Sequence, residues 1–399
     1  YNPGFFEKRL MITAYLMEEG PVRLWGLTGR ERLARQLRAL DVTAFVSESR
    51  SLPESGRVLL LRADHVMESR ALKGLLALDG VLEQSGRPVA AHVDADSAQT
   101  ALRALTGQDE HGLATFGLDA LQAYEHDLRK SEAPLVARVT ADNSAELENS
   151  LYGASYKGIT DFVTKWWWPK PAKAGVRWCS RTGVTPNMVT TTGVVLMLAV
   201  CWLFYQGQYA AGLVLGWFMT YLDTVDGKLA RVTAQSSRFG HVLDHGMDIV
   251  HPPFWYWLWG LSLTDFESVA GVDQATLYTA IFAGYIGGRV VEAVFNLLGE
   301  TSIFAWRPFD AYFRLFTARR NPCLVLLTLA WAMGSPAAGL WLVASWTVLS
   351  TLIMLVRLAY GVWVRATEGR LKSWLATPDA ARRHPRAYAS FSGTRAAYG

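Results

Sequence analysis

Four aspartates share one stretch of the chain, LDTVDGKLARVTAQSSRFGHVLDHGMD: Asp223, Asp226, Asp244 and Asp248. At helical spacing Asp223, Asp226, Gly227, Ala230 and Arg231 fall on one face. On a following helix Gly240, Asp244 and Asp248 form a second stripe, with His241 and His245 beside it. The connection is short, which makes the two helices antiparallel neighbours and lets the acidic stripes converge. Carboxylates gathered in this way repel one another and resist desolvation. Hard divalent cations such as Mg²⁺ or Mn²⁺ offset both costs with oxygen ligands, and they bind phosphates as well. Two such ions about 3.5–4 Å apart can hold a diphosphate and polarise the phosphorus under attack. Gly227 and Ala230 clear side-chain bulk from that face so that a nucleotide can approach the backbone. Arg231 adds positive charge near the phosphates.

The elements around this stretch divide the chain. Residues 1–150 read as an α/β soluble domain. Apolar runs at 22–27, 43–47, 57–63 and 88–93 predict strands, the amphipathic segments 30–40 and 68–78 predict helices, and the alternation predicts a mainly parallel sheet. Beyond residue 186 an all-α six-helix transmembrane bundle is expected over 187–370. Its spans are predicted at 187–206, 209–229, 242–263, 276–298, 322–335 and 337–362, the fifth being short for a bilayer. The charges support this count. Lys165, Lys170, Lys173, Arg177 and Arg181 precede the first span, and Lys228, Arg231 and Arg238 surround the second turn. Asp265, Glu267 and Asp273 mark the third turn, whereas Arg307, Arg314, Arg319 and Arg320 fill the fourth. Positive segments alternate, which predicts a multi-pass protein with both termini and the acidic site on the cytoplasmic side. Residues 151–186, with three consecutive tryptophans beside Lys and Pro, predict a helix lying along the membrane surface. Residues 371–399 read as a polar, loosely ordered tail. The net charge of +4 gives no argument for nucleic acid, and Cys179, Cys201 and Cys323 are too far apart for a zinc motif.

All eight fixed positions of the pattern D-x2-D-G-x2-A-R-x8-G-x3-D-x3-D are present, and over residues 150–370 the chain resembles the CDP-alcohol phosphotransferases. The resemblance implies a homodimeric enzyme of phospholipid biosynthesis that moves a substituted phosphate from a CDP-linked donor to a hydroxyl and releases CMP. It implies that Asp223, Asp226, Asp244 and Asp248 hold two Mg²⁺ (or Mn²⁺) ions, with Asp248 also the general base. Asp223, Gly227, Ala230, Arg231 and Gly240 would line the CMP pocket. "DGKLARVT" and "DHGMD" look like the choline and ethanolamine phosphotransferases, and these hints favour a CDP-polar headgroup as donor and a lipid diol as acceptor. The alternative is CDP-diacylglycerol with a polyol phosphate or amino alcohol. The segments 26–46 and 58–76 resemble sugar-nucleotidyltransferase domains without the Gly-rich phosphate loop, as in a degenerate copy in which Asp64 is a strand-end acid. Composition rich in Ala, Arg and Gly suits a bacterial inner membrane.

Further polar groups lie in the apolar runs. Arg289 and Arg357 are candidates for acceptor binding; each also has a structural alternative, an Arg289–Glu292 pair and an Arg357 that snorkels to the surface. His245 is a candidate for acceptor contact and a rival to Asp248 as base. His251 precedes Pro252-Pro253, where a helix break is expected. The loop 307–322 reads as a basic, aromatic surface that attracts anionic headgroups. A cation transporter could use the same acids, but it has no need for Gly227, Ala230 and Arg231 at these offsets.

Overall fold

The structure is a computed structural model that describes residues 12–108, 112–121, 123–235, 238–264, 266 and 271–398, with the side chains of Arg238, Phe239, His241, Asp244, His245 and Ala396 outside that description. The α/β region runs β1 (Ile12–Met17), α1 (Gly29–Ala39), β2 (Ala44–Val46), β3 (Arg57–Arg62), β4 (His65–Met67), α2 (Ser69–Leu76), β5 (Gly80–Gln84), β6 (Arg87–Asp94), α3 (Ala98–Leu105) and β7 (Thr115–Phe116). Its main sheet has the order β2-β1-β3-β6-β5-β7. β1 pairs in parallel with β2 and β3, but β6 is antiparallel to both β3 and β5. The sheet is therefore mixed rather than mainly parallel. The cause is local: Ser85 and Gly86, both at positive φ, join β5 to β6, and a two-residue connection can only close an antiparallel hairpin.

The expected strand at 22–27 is a tight turn instead. Trp25 and Gly26 have φ of 51° and 77°, and Leu24 and Leu27 bond to each other across them at 2.9 and 3.1 Å. The first strand is the apolar run Ile12–Met17. β3 shows why the sheet is stable. Leu59 and Leu61 face a core with Leu33, Leu37, Leu72 and Leu75, whereas Val58 and Leu60 face Val81, Val93, Ala101 and Leu105 on the other side. Period-two alternation gives one strand two apolar faces, each covered by helix.

After β8 (Tyr124–Glu125), β9 (Lys130–Ser131) and β10 (Val136–Arg138) the chain becomes helical: α4 (Ser144–Ala154), α5 (Pro169–Thr182), α6 (Pro186–Tyr205), α7 (Tyr209–Val232), α8 (Arg238–Leu261), α9 (Gln274–Leu298), α10 (Pro308–Phe316), α11 (Arg320–Ala332) and α12 (Pro336–Glu368). A helix stands at each of the six positions where a span is expected. Among the described residues three are long and apolar enough to cross a membrane, α6, α9 and α12. Their outer faces carry exposed Trp202, Val290, Leu297 and Val356, as lipid-facing surfaces do. The acids Asp265 and Glu267 of the third turn lie outside the described residues.

Three further features place the site. The turn at 24–27 docks the α/β region on the helices: the Trp25 indole N–H donates to the Glu148 carbonyl at 2.9 Å. Arg32 is buried and donates to the Val232 carbonyl at 2.7 Å, and Arg35 donates to that of Thr233 at 3.1 Å, so both satisfy carbonyls at the end of α7. Residues 371–398 are not loose. They form α13 (Ala380–Arg383), α14 (Pro385–Phe391) and α15 (Arg395–Tyr398) and bury Leu371, Trp374, Leu375 and Phe391 in one core with Phe295, Phe304 and Trp306.

Candidate active site

α7 and α8 bring the signature together at one end of the helices. Two carboxylates meet across a single cation: Arg320 donates from Nη2 to Asp223 Oδ2 at 2.6 Å and from Nη1 to Asp248 Oδ1 at 2.5 Å. Asp226 is buried, accepts from the Thr190 hydroxyl at 2.7 Å, and lies in electrostatic reach of Asp223 and Asp248. The Asp244 and His245 side chains lie outside the described residues, so their candidate roles stay with the sequence. Among the described residues no three acidic, His or Cys groups are gathered into a metal cluster. The donor set nevertheless fits a divalent ion. Asp223 and Asp248 converge on one positive group, and a guanidinium between two carboxylates fills the space and charge that a hard cation would take.

The nucleotide-binding candidates line the same end of α7. Arg231 is exposed and donates to the Gly227 carbonyl at 2.9 Å, and a Cβ on Gly227 would stand 3.4 Å from that guanidinium. Gly227 thus keeps the face low where Arg231 folds back. Ala230 and Gly240 are half-buried beside it. Lys228 is buried with its ammonium 3.9 Å from the ring centre of Tyr156, a cation–π contact that takes the charge beneath the site rather than into it.

Asp248 is held by its backbone as well. Pro252 has no N–H to give to the carbonyl four residues back, which belongs to Asp248. α8 nevertheless runs unbroken through Pro252 and Pro253, contrary to the expected break, because Tyr285 on α9 donates its hydroxyl to the Asp248 carbonyl at 3.1 Å. Arg289 in turn donates to the Tyr285 hydroxyl at 3.0 Å and lies 3.6 Å from Glu292. The structural alternative for Arg289 is present: it pairs with Glu292, and through Tyr285 it supports the backbone of Asp248. His251 is a bundle histidine whose Nδ1–H donates to the Met247 carbonyl at 2.6 Å. Arg357 is not brought to the aspartates. Its guanidinium makes two bonds to buried Asp310, at 2.6 and 2.9 Å, and stacks 4.5 Å from Trp306.

The loop 307–322 is not a plain surface. Arg319 is buried against Glu292 at 2.6 Å, and Arg320 opens α11 and enters the aspartate site. Around buried Phe304 stand three guanidinium groups, those of Arg314, Arg319 and Arg129, with their carbons 5.4, 5.9 and 6.0 Å from the ring centre. Lys157 lies in electrostatic reach of Arg129, Arg231, Arg314 and Asp248. Burial and these three arginines push its ammonium down to about 8. Several cations thus gather within reach of Asp248. Arg320, Arg129, Lys157 and Thr190 carry no local motif, so sequence reasoning missed their place here.

Among the described residues the α/β region shows no comparable gathering of acids. The N-terminus of α1, where a nucleotide phosphate would sit, is closed by a capping box. The Thr28 side chain accepts from Glu31 N at 3.2 Å, and the Glu31 carboxylate accepts from Thr28 N at 2.8 Å. That backbone bond, with Arg23 nearby, holds Glu31 below the usual carboxylate range. Gly29 serves packing, since a Cβ there would fall 1.8 Å from the Ala63 carbonyl oxygen. Asp64 accepts from His65 at 2.7 Å and from Arg62 at 3.0 and 3.2 Å. Burial raises its carboxyl, but Arg62 and His65 outweigh it and hold it low.

Residues 183–363 match the family model of the CDP-alcohol phosphatidyltransferases. Among curated proteins the chain is similar to archaetidylinositol phosphate synthase of Pyrococcus horikoshii, 42% identical over 67 residues, which are 16% of this chain and 35% of that one. It is similar to phosphatidylinositol phosphate synthase of Mycobacterium tuberculosis, 39% identical over 69 residues, 17% of this chain and 32% of the other. A longer match, 27% identical over 199 residues, covers 39% of this chain and 50% of choline/ethanolaminephosphotransferase 2 of Arabidopsis thaliana. The chain thus spans about a third to a half of the curated relatives it matches.

Proposed function

We propose, from the premise that residues 183–363 belong to the CDP-alcohol phosphatidyltransferase family, that this chain moves a substituted phosphate from a CDP-linked donor to the hydroxyl of an anionic acceptor and releases CMP. The observation that carries the reading is the meeting of Asp223 and Asp248 on one positive group, with the cations Lys157, Arg129 and Arg314 close by. Asp248 takes the proton of the acceptor hydroxyl as its oxygen forms a bond to the β-phosphorus. The bond from that phosphorus to the bridging oxygen breaks, and CMP departs with the electron pair. Asp223, Asp226, Asp244 and Asp248 are the residues that would hold Mg²⁺ or Mn²⁺, two ions by the resemblance. Such ions, when bound, neutralise charge on the diphosphate and the leaving group. Arg231 holds the donor's phosphates, and Gly227, Ala230 and Gly240 leave room for the nucleotide.

The group of cations near Asp248 supports a polyol phosphate as acceptor and CDP-diacylglycerol as donor. A second reading, a soluble CDP-headgroup with a lipid diol, has its support in "DGKLARVT" and "DHGMD" and in the long match to the choline/ethanolamine enzyme. On either reading the chain works in phospholipid synthesis as a multi-pass, dimeric membrane protein with its site toward the cytoplasm. The test is CMP release with Mg²⁺ from CDP-diacylglycerol, CDP-inositol, CDP-choline and CDP-ethanolamine, each offered with polyol phosphates and lipid diols. Asp248→Asn should retain CMP binding and turn over at least about a hundredfold more slowly, the usual worth of a general base. Full activity in that variant, or no CMP from any donor, would sink the proposal.

A further inference from the structure

The turn between β8 and β9 belongs to the α/β region, outside the matched segment 183–363, yet its arginine stands with Arg314 and Arg319 around Phe304 and within electrostatic reach of Lys157. Its tip, Arg129, has φ of 49°, a conformation that a residue with a Cβ adopts only when its surroundings impose it. The surroundings are specific. The Gly158 N–H donates to the Leu128 carbonyl at 2.8 Å, and a Cβ on Gly158 would stand 2.7 Å from the Arg129 carbonyl oxygen. Next door, fully buried Lys130 donates to Glu132 and to the Ala154 carbonyl, both at 2.6 Å. The turn is thereby pinned to the membrane-side chain, and its arginine is aimed rather than free to swing.

Two arginines that hold the fold have hydrogen-bond acceptors for their guanidinium groups. Arg357 has both oxygens of Asp310, and Arg32 has the carbonyls of Val232 and Leu24. Arg129 and Arg314 differ. Among the described residues neither guanidinium has a hydrogen-bond acceptor, and Arg314 Nη1 is buried without one. Both stand with Arg319 around the Phe304 ring, and the nearby carboxylate Glu292 is already taken by Arg319. Positively charged forks that converge without acceptors are built for an anion with several oxygens, as a phosphate monoester is.

We propose that the α/β region supplies part of the active site: Arg129, with Arg314, binds the anionic group of the acceptor and so selects phosphorylated acceptors. This rests on the anionic-acceptor reading above. The arginines at Phe304 connect to Asp248 through hydrogen bonds and ion pairs: Arg319 holds Glu292, Glu292 pairs with Arg289, and Arg289 bonds to Tyr285, which donates to the Asp248 carbonyl.

The test uses the purified full chain in lipid nanodiscs, with Arg129→Asn and Arg129→Lys. Asn tolerates the left-handed backbone, so the turn survives while the charge is lost. Arg129→Asn should raise KM for a polyol phosphate about ten- to hundredfold, the loss expected for one charged hydrogen-bonding group. KM for the CDP-linked donor and the thermal midpoint should stay put, inhibition by inorganic phosphate against the acceptor should weaken in parallel, and Arg129→Lys should recover part of the loss. If the wild type demands a phosphorylated acceptor and Arg129→Asn keeps its acceptor KM, the proposal is overturned while the reading of the acceptor stands. If donor KM, acceptor KM and melting all move together, Arg129 is structural and the proposal fails. Equal use of phosphorylated and unphosphorylated acceptors by the wild type would remove the reading itself, and this proposal with it.

Discussion

Replacing Arg320 by Gln should weaken the metal-free protein far more than the magnesium-loaded one. The Arg320 side chain is 11% exposed and lies between Asp223 and Asp248, which are 24% and 39% exposed. A hydrogen bond to a charged group contributes about 1.5–3 kcal/mol. The bond to Asp248 belongs near the low end, because solvent screens a carboxylate that open. Gln can keep one of the two contacts but not the charge, and the carboxylates then lose the cation that bridges them. A net loss of about 3 kcal/mol follows, or roughly 6–12 °C at 2–4 °C per kcal/mol for a domain of this size. A divalent ion neutralises the same two carboxylates, and at a hundred times its Kd it adds about 2.7 kcal/mol to the folded state. The assay is thermal unfolding of wild type and Arg320→Gln in EDTA and then across a MgCl₂ titration. The gap between the proteins should be wide in EDTA and should close with Mg²⁺, and the variant should reach its plateau at lower Mg²⁺ because the Arg320 charge no longer competes. A gap of equal size at saturating Mg²⁺, or none in EDTA, would refute the reasoning.

Two further outcomes follow from groups around Asp248. Tyr285→Phe removes the donor that replaces the missing N–H of Pro252, leaving the Asp248 carbonyl unpaired at a cost of about 1–3 kcal/mol; hydrogen exchange around residues 248–252 should speed up and kcat should fall with little change in donor KM, whereas unchanged exchange would show the proline gap to be filled otherwise. Lys157, lowered to about 8 by burial and by Arg129, Arg231 and Arg314, is charged below that pH and neutral above it, so KM for an anionic acceptor should rise as pH passes through 8, and Lys157→Gln should flatten that rise; a wild-type profile that is flat from pH 7 to 9 would contradict it.

The sequence carried the site where helical geometry alone decides it. The spacing of Asp223, Asp226, Gly227 and Arg231 places them on one face whatever surrounds the helix, and a short turn obliges Asp248 to return beside them. It could not carry contacts made by tertiary packing. Arg320 lies 97 residues beyond Asp223, and among the basic residues of its loop nothing local distinguishes it. The apolar run at 22–27 has the composition of a strand, and only the positive φ of Trp25 and Gly26 makes it a docking turn. The prolines of α8 predict a break when the helix is considered alone. They fail to break it because Tyr285, on another helix, meets one of the carbonyls they leave open. The segment 371–399 has polar composition, yet Trp374, Leu375 and Phe391 find a core that no window of sequence reveals.

The anchoring of Lys130 has a consequence for how the protein is made. Its ammonium bonds to the Thr394 hydroxyl at 3.2 Å, a partner synthesised 264 residues later, and Glu132 accepts from Thr394 N at 3.2 Å. The contacts of the β8–β9 turn with Gly158 and Ala154 can form early, but this last anchor has to wait until residue 394 has been made, after every long helix of the chain.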